Sequence, residues 1–441
     1  MRSRSTGLVL VVAALLAVAG EPARTAEGEN ERMLARPTPE QAAWQDWEFI
    51  GFAHFGMNTF TDREWGEGNE DPGLFNPTAL DARQWVRALK AAGIKLLILT
   101  AKHHDGFCLW PSKYTGHSVK NSPWRGGRGD VVREVADACR EGGMKVGVYL
   151  SPWDRHEPTY GSPAYNEFFR NQLRELLTDY GPMAEVWFDG ACGEGPSGRK
   201  QEYDWGSYYQ LVRELQPHAL IAICGPDIRW VGNESGVARE NESSVQPAGG
   251  EGQPERWHPA ECDVSIRPGW FYHPAEDDKV KTLDQLLDIY YKSVGRNAVL
   301  LLNVPPDRRG LIHENDAKRL AELGAEIERR FGRGVAETEG RGDVLEVALE
   351  GPVVIDHAVV MEDIREGERV REYVVEGLPA GRVEGVTDGG WRELCKSGII
   401  GHKRIAQFEP AVVSRVRLRC LGYVAEPRIR KLAVYRVSGE P

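Results

Sequence analysis

From Trp47 onward the chain alternates apolar, β-branched runs with amphipathic stretches of helical period, and this beat constrains the fold more than any other feature. Strands are expected over Trp47 to Phe55, Ile94 to Ala101, Lys145 to Ser151, Ala184 to Asp189, Ala219 to Cys224, Asp263 to Pro268 and Ala298 to Val304. Between them fall helices over Asp81 to Ala92, Asp130 to Glu141, Ala164 to Tyr180, Trp205 to Leu215, Leu283 to Val294 and Glu314 to Phe331. Continuous apolar strands separated by helices bury both faces, which requires a parallel sheet covered by helices. Over this span the prediction is an α/β fold, an imperfect (β/α)8-like barrel. Only seven strands are legible, so the eighth is hidden in the irregular stretch Gly225 to Pro259 or the barrel is incomplete.

Past Gly334 the helical pattern stops, and β-branched runs follow one another between Gly and acidic turns: Val344 to Leu349, Val353 to Met361, Val370 to Val375, Gly398 to Phe408, Val412 to Arg419 and Ile429 to Tyr435. Such spacing predicts a C-terminal antiparallel β-sandwich. The expected organisation is therefore a signal peptide over 1–19, a leader over 20–39, a catalytic barrel over 40–333 and a sandwich over 334–441. The signal is read from Arg2 and Arg4, the apolar run Leu8 to Val18 and the small residues Ala17 and Ala19. It implies an exported protein, periplasmic or extracellular, with no membrane association after cleavage. A net charge of −11 argues against a nucleic-acid or anionic-membrane partner. Seven cysteines without a C-x-x-C pair imply neither a zinc ribbon nor a disulfide scaffold; at least one must be unpaired, and at most one disulfide is expected. Oligomeric state is not legible.

In a parallel barrel the carboxyl ends of the strands carry the chemistry. Four polar segments fall at such ends: His54 to Asn58, Lys102 to Phe107, Ser151 to Asp154, and Trp187 to Gly190. Asp189, closing an apolar strand and followed by glycine, is the expected nucleophile. Hydrolysis of a glycosidic bond with retention needs a second carboxyl, roughly 5–5.5 Å away, that stays protonated as the acid. Glu234, in the irregular segment after the fifth strand, is the first candidate; Glu261 is the alternative, with Glu240 and Glu242 as lesser competitors. Trp65, Trp110, Trp153, Trp187 and Trp270 near strand ends suit the C–H faces of a sugar, and Arg267 and Trp270 are expected to line the site. A metal-dependent hydrolase is a weaker reading, because adjacent His103 and His104 lack the His-x-His spacing that points two ligands to one side of a strand. A lectin-like protein without catalysis is weakened by the presence of both Asp189 and a credible acid.

These residues resemble glycoside hydrolase family 29, the α-L-fucosidases. The resemblance is carried by His54 in His-Phe-Gly, Glu64-Trp65, Lys102 to Phe107, Trp187 to Ala191 and Asn297 to Pro305. It implies Asp189 as nucleophile, with His54, Glu64, Trp65, His103, His104, Trp187 and Arg229 holding the fucose of a fucosylated glycan; Trp153, Arg267 and Trp270 complete the expected contacts, and the chemistry requires no cofactor or metal. The Trp-Phe-Asp-Gly-Ala form, Gly232-Asn233-Glu234 and the run Ser265 to Tyr272 look like the branch acting on α-1,3/1,4-linked fucose, in which the acid lies in a Gly-Asn-Glu segment.

Overall fold

The computed structural model of the protein describes residues 34–248, 254–380 and 390–439, and the expected signal peptide lies outside them. The first described helix, α1 (Pro39–Trp47), falls where the sequence reading placed the end of the leader and the start of a strand. Its start signal is legible: Pro39 occupies the first turn, and Thr38 and Gln41 form a reciprocal capping box.

Eight parallel strands follow: β1 (Phe49–Ala53), β2 (Leu96–Lys102), β3 (Lys145–Leu150), β4 (Glu185–Phe188), β5 (Leu220–Ile223), β6 (Arg229–Trp230), β9 (Ala260–Ser265) and β10 (Val299–Asn303). They run in the order β5-β4-β3-β2-β1-β10-β9-β6. A parallel bridge between Ala222 and Ile228 brings the last strand back beside the first, so the barrel is nearly closed. The eighth strand is thus the two-residue β6, too short to register as a periodic run. The expected strand at Asp263 to Pro268 begins earlier, because Glu261 to Ser265 pair with Val299 to Asn303.

Helices α3 (Ala82–Ala91), α4 (Val131–Gly142), α5 (Pro163–Asp179), α6 (Trp205–Leu215), α7 (Leu283–Lys292) and α8 (Glu314–Phe331) cover the outside. The short α2 (Met57–Thr61) follows β1. Among the described residues no helix separates β5 from β6 or β6 from β9; the second gap holds a hairpin of β7 (Val245–Pro247) and β8 (Glu255–Trp257).

The barrel interior is filled by Ile50, Phe52, Leu96, Ile98, Tyr149, Trp187, Leu220, Ala222, Ile228, Val299 and Leu301. Trp44 of α1 completes this cluster, wholly buried, and donates from Nε1 to Glu185 Oε2 at 2.8 Å at the start of β4. The helix therefore plugs the amino-terminal mouth of the barrel while the carboxyl-terminal mouth stays open.

The C-terminal sandwich is built on one six-stranded antiparallel ladder, ordered β11-β16-β12-β15-β13-β14. Its strands are β11 (Ala336–Arg341), β12 (Val344–Glu362), β13 (Val370–Pro379), β14 (Arg392–Ser397), β15 (Arg404–Tyr423) and β16 (Arg428–Tyr435). Two pairs of expected runs merge into the long β12 and β15, which pair across irregularities such as that between Ala348 and Val353, beside Gly351-Pro352. Register shifts of this kind bend a ladder so that its halves face a common core, here containing Ile355, Tyr373, Val416 and Leu432. The polar edge strands β11 and β14 carry no apolar alternation and are invisible in the sequence. Charged bonds join sandwich to barrel, among them Lys403 Nζ to Glu48 Oε2 at 2.7 Å and Asn297 Nδ2 to Glu368 Oε1 at 2.6 Å.

All seven cysteines are free, four of them buried, so no disulfide is present. Among the described residues no helix is long and apolar enough to cross a membrane. Replacing Trp44 by Ala opens a cavity in the plug and orphans Glu185 Oε2. A loss of about 3–5 kcal/mol in denaturant unfolding is expected, whereas a loss under about 1 kcal/mol would show that α1 does not support the barrel.

Candidate active site

The open mouth holds a pocket of about 160 Å³ lined by Phe52, His54, Glu64, Trp65, His103, His104, Tyr149, Trp187, Asp189, Ala191, Glu234, Asp263 and Trp270. Residues more than two hundred positions apart converge here because each lies in or just after a barrel strand. Phe52 and Trp187 form the closed end, with ring centroids 5.3 Å apart.

Asp189 follows the last residue of β4, and each of its oxygens receives one donor. Tyr149 donates its hydroxyl to Oδ2 at 2.9 Å, and the Ala191 backbone N–H reaches Oδ1 at 2.8 Å. Burial, and then the Asp189 charge, push the Tyr149 phenol well above its ordinary range, so it remains a donor.

Three imidazoles stand around this carboxylate, and burial keeps all three neutral near pH 7. His54 is pushed down to about 3, His104 to about 4, and His103 well below the usual histidine range. Their partners set the tautomers. The Asn303 amide nitrogen donates to Ser265 Oγ and Trp270 O, which turns its oxygen toward His54 Nδ1 at 2.8 Å and leaves His54 Nε2 as an acceptor. Ser151 Oγ donates to Trp153 O and so accepts from His104 Nδ1 at 2.7 Å; His104 Nε2 is then an acceptor 3.9 Å from Asp189 Oδ2. His103 Nδ1 faces the Asn58 amide nitrogen at 3.5 Å, which assigns the proton to Nε2. A pocket offering neutral donors and acceptors is matched to hydroxyl groups rather than to a charged ligand.

The loops holding these rings are themselves fixed. Lys102 Nζ, fully buried, donates to Asp154 Oδ2 at 2.8 Å and to Gln172 Oε1 at 3.0 Å, tying the end of β2 to the loop after β3 and to α5. Burial opposes ionisation of Asp154, but Lys102 overrides it and holds the carboxyl below its usual range. Glu64 accepts from the backbone N–H groups of Trp270 and Phe271 at 2.9 and 3.1 Å and faces His273 Nε2 at 2.7 Å, which sets the loop carrying Trp270 against the pocket.

Glu234 is exposed at the mouth, where Trp270 Nε1 donates to its Oε2 at 3.3 Å. Glu261 is not in the pocket: it is fully buried below, accepting from Trp187 Nε1 at 2.7 Å. Glu240 and Glu242 also lie elsewhere, the first paired with Arg296 and Arg404 and the second with Arg229. Three expected sugar contacts are likewise displaced from the lining. Arg229 is committed to Glu242 and to His258 O. Arg267 is wholly buried, bonded through Nε to Asp316 at 2.8 Å and through Nη1 to Asp277 at 3.0 Å. Trp153 stands behind the lining, 5.7 Å from the Trp65 ring and 4.8 Å from His104. Trp110 is buried and donates to Glu175. Trp65, by contrast, is 58% exposed at the rim.

Tyr149 and Asp263 are site residues that the sequence reading passed over as strand positions. Both were findable: in a barrel strand every second side chain points inward, and Tyr149 lies two residues before the strand-end Ser151. Asp263 is an acid inside an apolar strand; burial pushes it up to about 8 against a 2.7 Å bond from Trp230 Nε1, with Glu261 and Glu234 adding to the rise. Among the described residues no three His, Cys, Asp or Glu side chains cluster as a metal site requires.

A parallel barrel with a carboxylate, a second carboxyl and aromatic and imidazole walls at its carboxyl mouth is a scaffold of the glycoside hydrolases, and the comparisons narrow the class. A family model described as alpha-L-fucosidase matches residues 25–330. Alpha-L-fucosidase 1 of Arabidopsis thaliana is 42% identical over 433 residues, covering 87% of this chain and 84% of that protein. The crystal structure of a glycoside hydrolase 29 family member from an unknown rumen bacterium superposes with a TM-score of 0.86 at 44% identity, covering 93% of this chain and 78% of that one. A Ruminococcus gnavus GH29 fucosidase in complex with fucose gives a TM-score of 0.82 at 30% identity, covering 92% and 95%. The chain belongs to the α-L-fucosidases of glycoside hydrolase family 29.

The neutral state of the imidazoles has a direct consequence. An unfolded histidine protonates near 6.5, whereas His54 and His104 resist protonation down to about 3 and 4. Their contribution to stability is thus complete above pH ~6.5 and is lost as pH falls through the window below it. In 15N NMR of histidine-labelled protein, both rings should keep neutral shifts from pH ~8 to ~5.5; titration near 6.5 would contradict the burial argument.

Proposed function

We propose that this α-L-fucosidase removes terminal α-1,3- or α-1,4-linked fucose from branched glycans with retention of configuration, using Asp189 as nucleophile and Glu234 as acid/base. The observation that carries the reading is that these two carboxyls line one dead-ended pocket, Asp189 within it and Glu234 at its exposed mouth. A closed end formed by Phe52 and Trp187 suits a terminal sugar, with the leaving group directed toward solvent.

In the first step an Asp189 oxygen attacks the anomeric carbon, the bond to the leaving oxygen breaks, and Glu234 delivers its proton to that oxygen. Water then attacks the same carbon, Glu234 takes the water's proton, and the ester bond to Asp189 breaks. Tyr149 and the Ala191 N–H hold the nucleophile in place through both displacements. His54, His103 and His104 bind sugar hydroxyls in this reading, and Trp65 and Trp270 offer rims for C–H faces. The linkage preference is supported by the Gly232-Asn233-Glu234 segment and the Ser265 to Tyr272 run, both of which border the pocket. An exported location, drawn from residues 1–19, accords with a glycan substrate outside the cytoplasm.

Release of fucose from an α-1,3 and an α-1,4 Lewis-type trisaccharide, an α-1,2-fucosyl lactose and an aryl fucoside tests the linkage, with turnover expected chiefly on the first two. Comparable turnover of all four moves the enzyme to the broad-specificity reading, and none on any leaves a glycan-binding protein. The mechanism is tested by substitution. Asp189→Ala should lower kcat by roughly 10³-fold or more while sugar binding persists. Glu234→Gln should cost about 10²- to 10⁴-fold on a glycan but much less on an activated aryl fucoside, whose leaving group needs no proton. Equal losses on both substrates would remove Glu234 from the acid role, and proton NMR showing the inverted anomer first would overturn retention.

A further inference from the structure

Below the pocket two carboxyls lie in the barrel interior, and among the described residues no basic side chain pairs with either. Glu185 opens β4 and Glu261 lies in β9, and both side chains are fully buried. Each gives one oxygen to an indole: Glu185 Oε2 accepts from Trp44 Nε1 at 2.8 Å, and Glu261 Oε1 accepts from Trp187 Nε1 at 2.7 Å. The other two oxygens, Glu185 Oε1 and Glu261 Oε2, receive no donor from any other side chain or backbone group, and the two carboxyls lie within hydrogen-bonding reach of each other.

The cluster holding both indoles otherwise consists of aliphatic and aromatic side chains. The charged groups nearest the pair are acidic too. Asp227 lies beside Glu185 and is bonded to Arg213, and Asp263 lies beside Glu261 at the pocket wall. Two carboxylates placed so would repel each other in a medium that screens little, whereas one acid donating to one carboxylate satisfies both remaining oxygens with a single hydrogen.

We infer that Glu185 and Glu261 share one proton and act as a positioning pair, linking the Trp44 plug to Trp187 and so fixing the indole that closes the sugar pocket beside Asp189. The protonation behaviour agrees with the geometry. Burial pushes Glu185 up to about 7 and Glu261 well above the usual carboxyl range. Glu261, a candidate acid on sequence grounds, thereby acquires a different role, exerted through Trp187 rather than on the substrate. The effect on catalysis rests on the reading that this pocket takes fucose; the shared proton does not.

The test uses the full chain and two kinds of readout. In the double variant Glu185→Gln/Glu261→Gln two amides can bond to each other while the amide oxygen introduced by Glu261→Gln still accepts from Trp187. Its KM for an aryl fucoside should stay within about threefold of the parent. Glutamates of the unfolded chain have released their protons by pH ~6, whereas the folded pair retains one, so parental stability falls as pH rises from about 4.5 through the pair's folded range. The double variant should therefore show a clearly smaller fall in Tm between pH ~6 and ~9. Glu261→Leu, which removes the acceptor, should raise KM roughly tenfold and alter Trp fluorescence, and Glu261→Gln should restore both. An identical Tm–pH profile in parent and double variant would overturn the shared proton, and an unchanged KM in Glu261→Leu would overturn the positioning role. Should the leucine variant fail to fold, the Tm profile and the KM of the glutamine variants still decide. The Tm readout needs no turnover, so an error in the assignment of Asp189 or Glu234 would be distinguishable from an error here.

Discussion

Closure of the parallel barrel is the constraint on which the rest of the molecule depends. Eight strands running one way place eight carboxyl ends in a ring, and in that ring His54, His103, Tyr149, Asp189 and Asp263 line a single pocket. Closure is made by a single bridge, Ala222 to Ile228, and by the two residues of β6. The interior is held by Phe52, Tyr149 and Trp187 above and by Trp44 below, so the floor of the pocket and the core of the barrel are made from the same side chains. A change in core packing is accordingly a change in the site.

The pocket's electrostatics divide its residues into two kinds. The histidines are kept neutral by burial, and so present a fixed set of donors and acceptors whose pattern is written by Asn303, Ser151 and Asn58 behind them. Asp189 keeps partial access to solvent, its side chain 26% exposed, and Glu234 is exposed at the mouth. Asp263 and Glu261 lie deeper, where burial favours the neutral acid. Depth thus separates the buried acids from the two carboxyls open to solvent.

The sequence made the scaffold legible wherever regularity was long enough to have a period. The helices and seven of the eight barrel strands fall close to their expected spans, since continuous apolar runs and amphipathic stretches are read directly from burial. What stayed hidden was short or polar: β6 with two residues, β11 and β14 at the edges of the sandwich, and α1, whose capping signals were not read as a helix start. The site followed the same logic. Asp189, His54, His103, His104, Glu64, Trp65 and Trp270 line one pocket, and they could be singled out because polar and aromatic residues near strand ends stand out. Arg229 and Arg267 lie off the lining, since spacing along the chain does not say that a guanidinium is already held by Glu242, or by Asp316 and Asp277. Tyr149 needed the inward alternation of β3, and Glu261 needed its depth, which only three dimensions supply.

The two halves of the barrel are built to different standards. From β1 to β5 the strands are separated by covering helices, and Asp189 and all three histidines belong to this part. From β5 to β9 the described residues hold no helix: the chain reaches the mouth as β6 and a loop bearing Glu234, then returns to a small hairpin packed against α1, where Ser244 and Trp257 bond to Gln45. The pocket residues on β1 to β4 and the loops that follow them thus sit on helix-covered framework, while Glu234 sits on a segment that no helix of the described residues covers. Such a layout uncouples two parts of the pocket: a change in the length or charge of the Glu234 loop need not disturb the strands that carry Asp189 and the histidines.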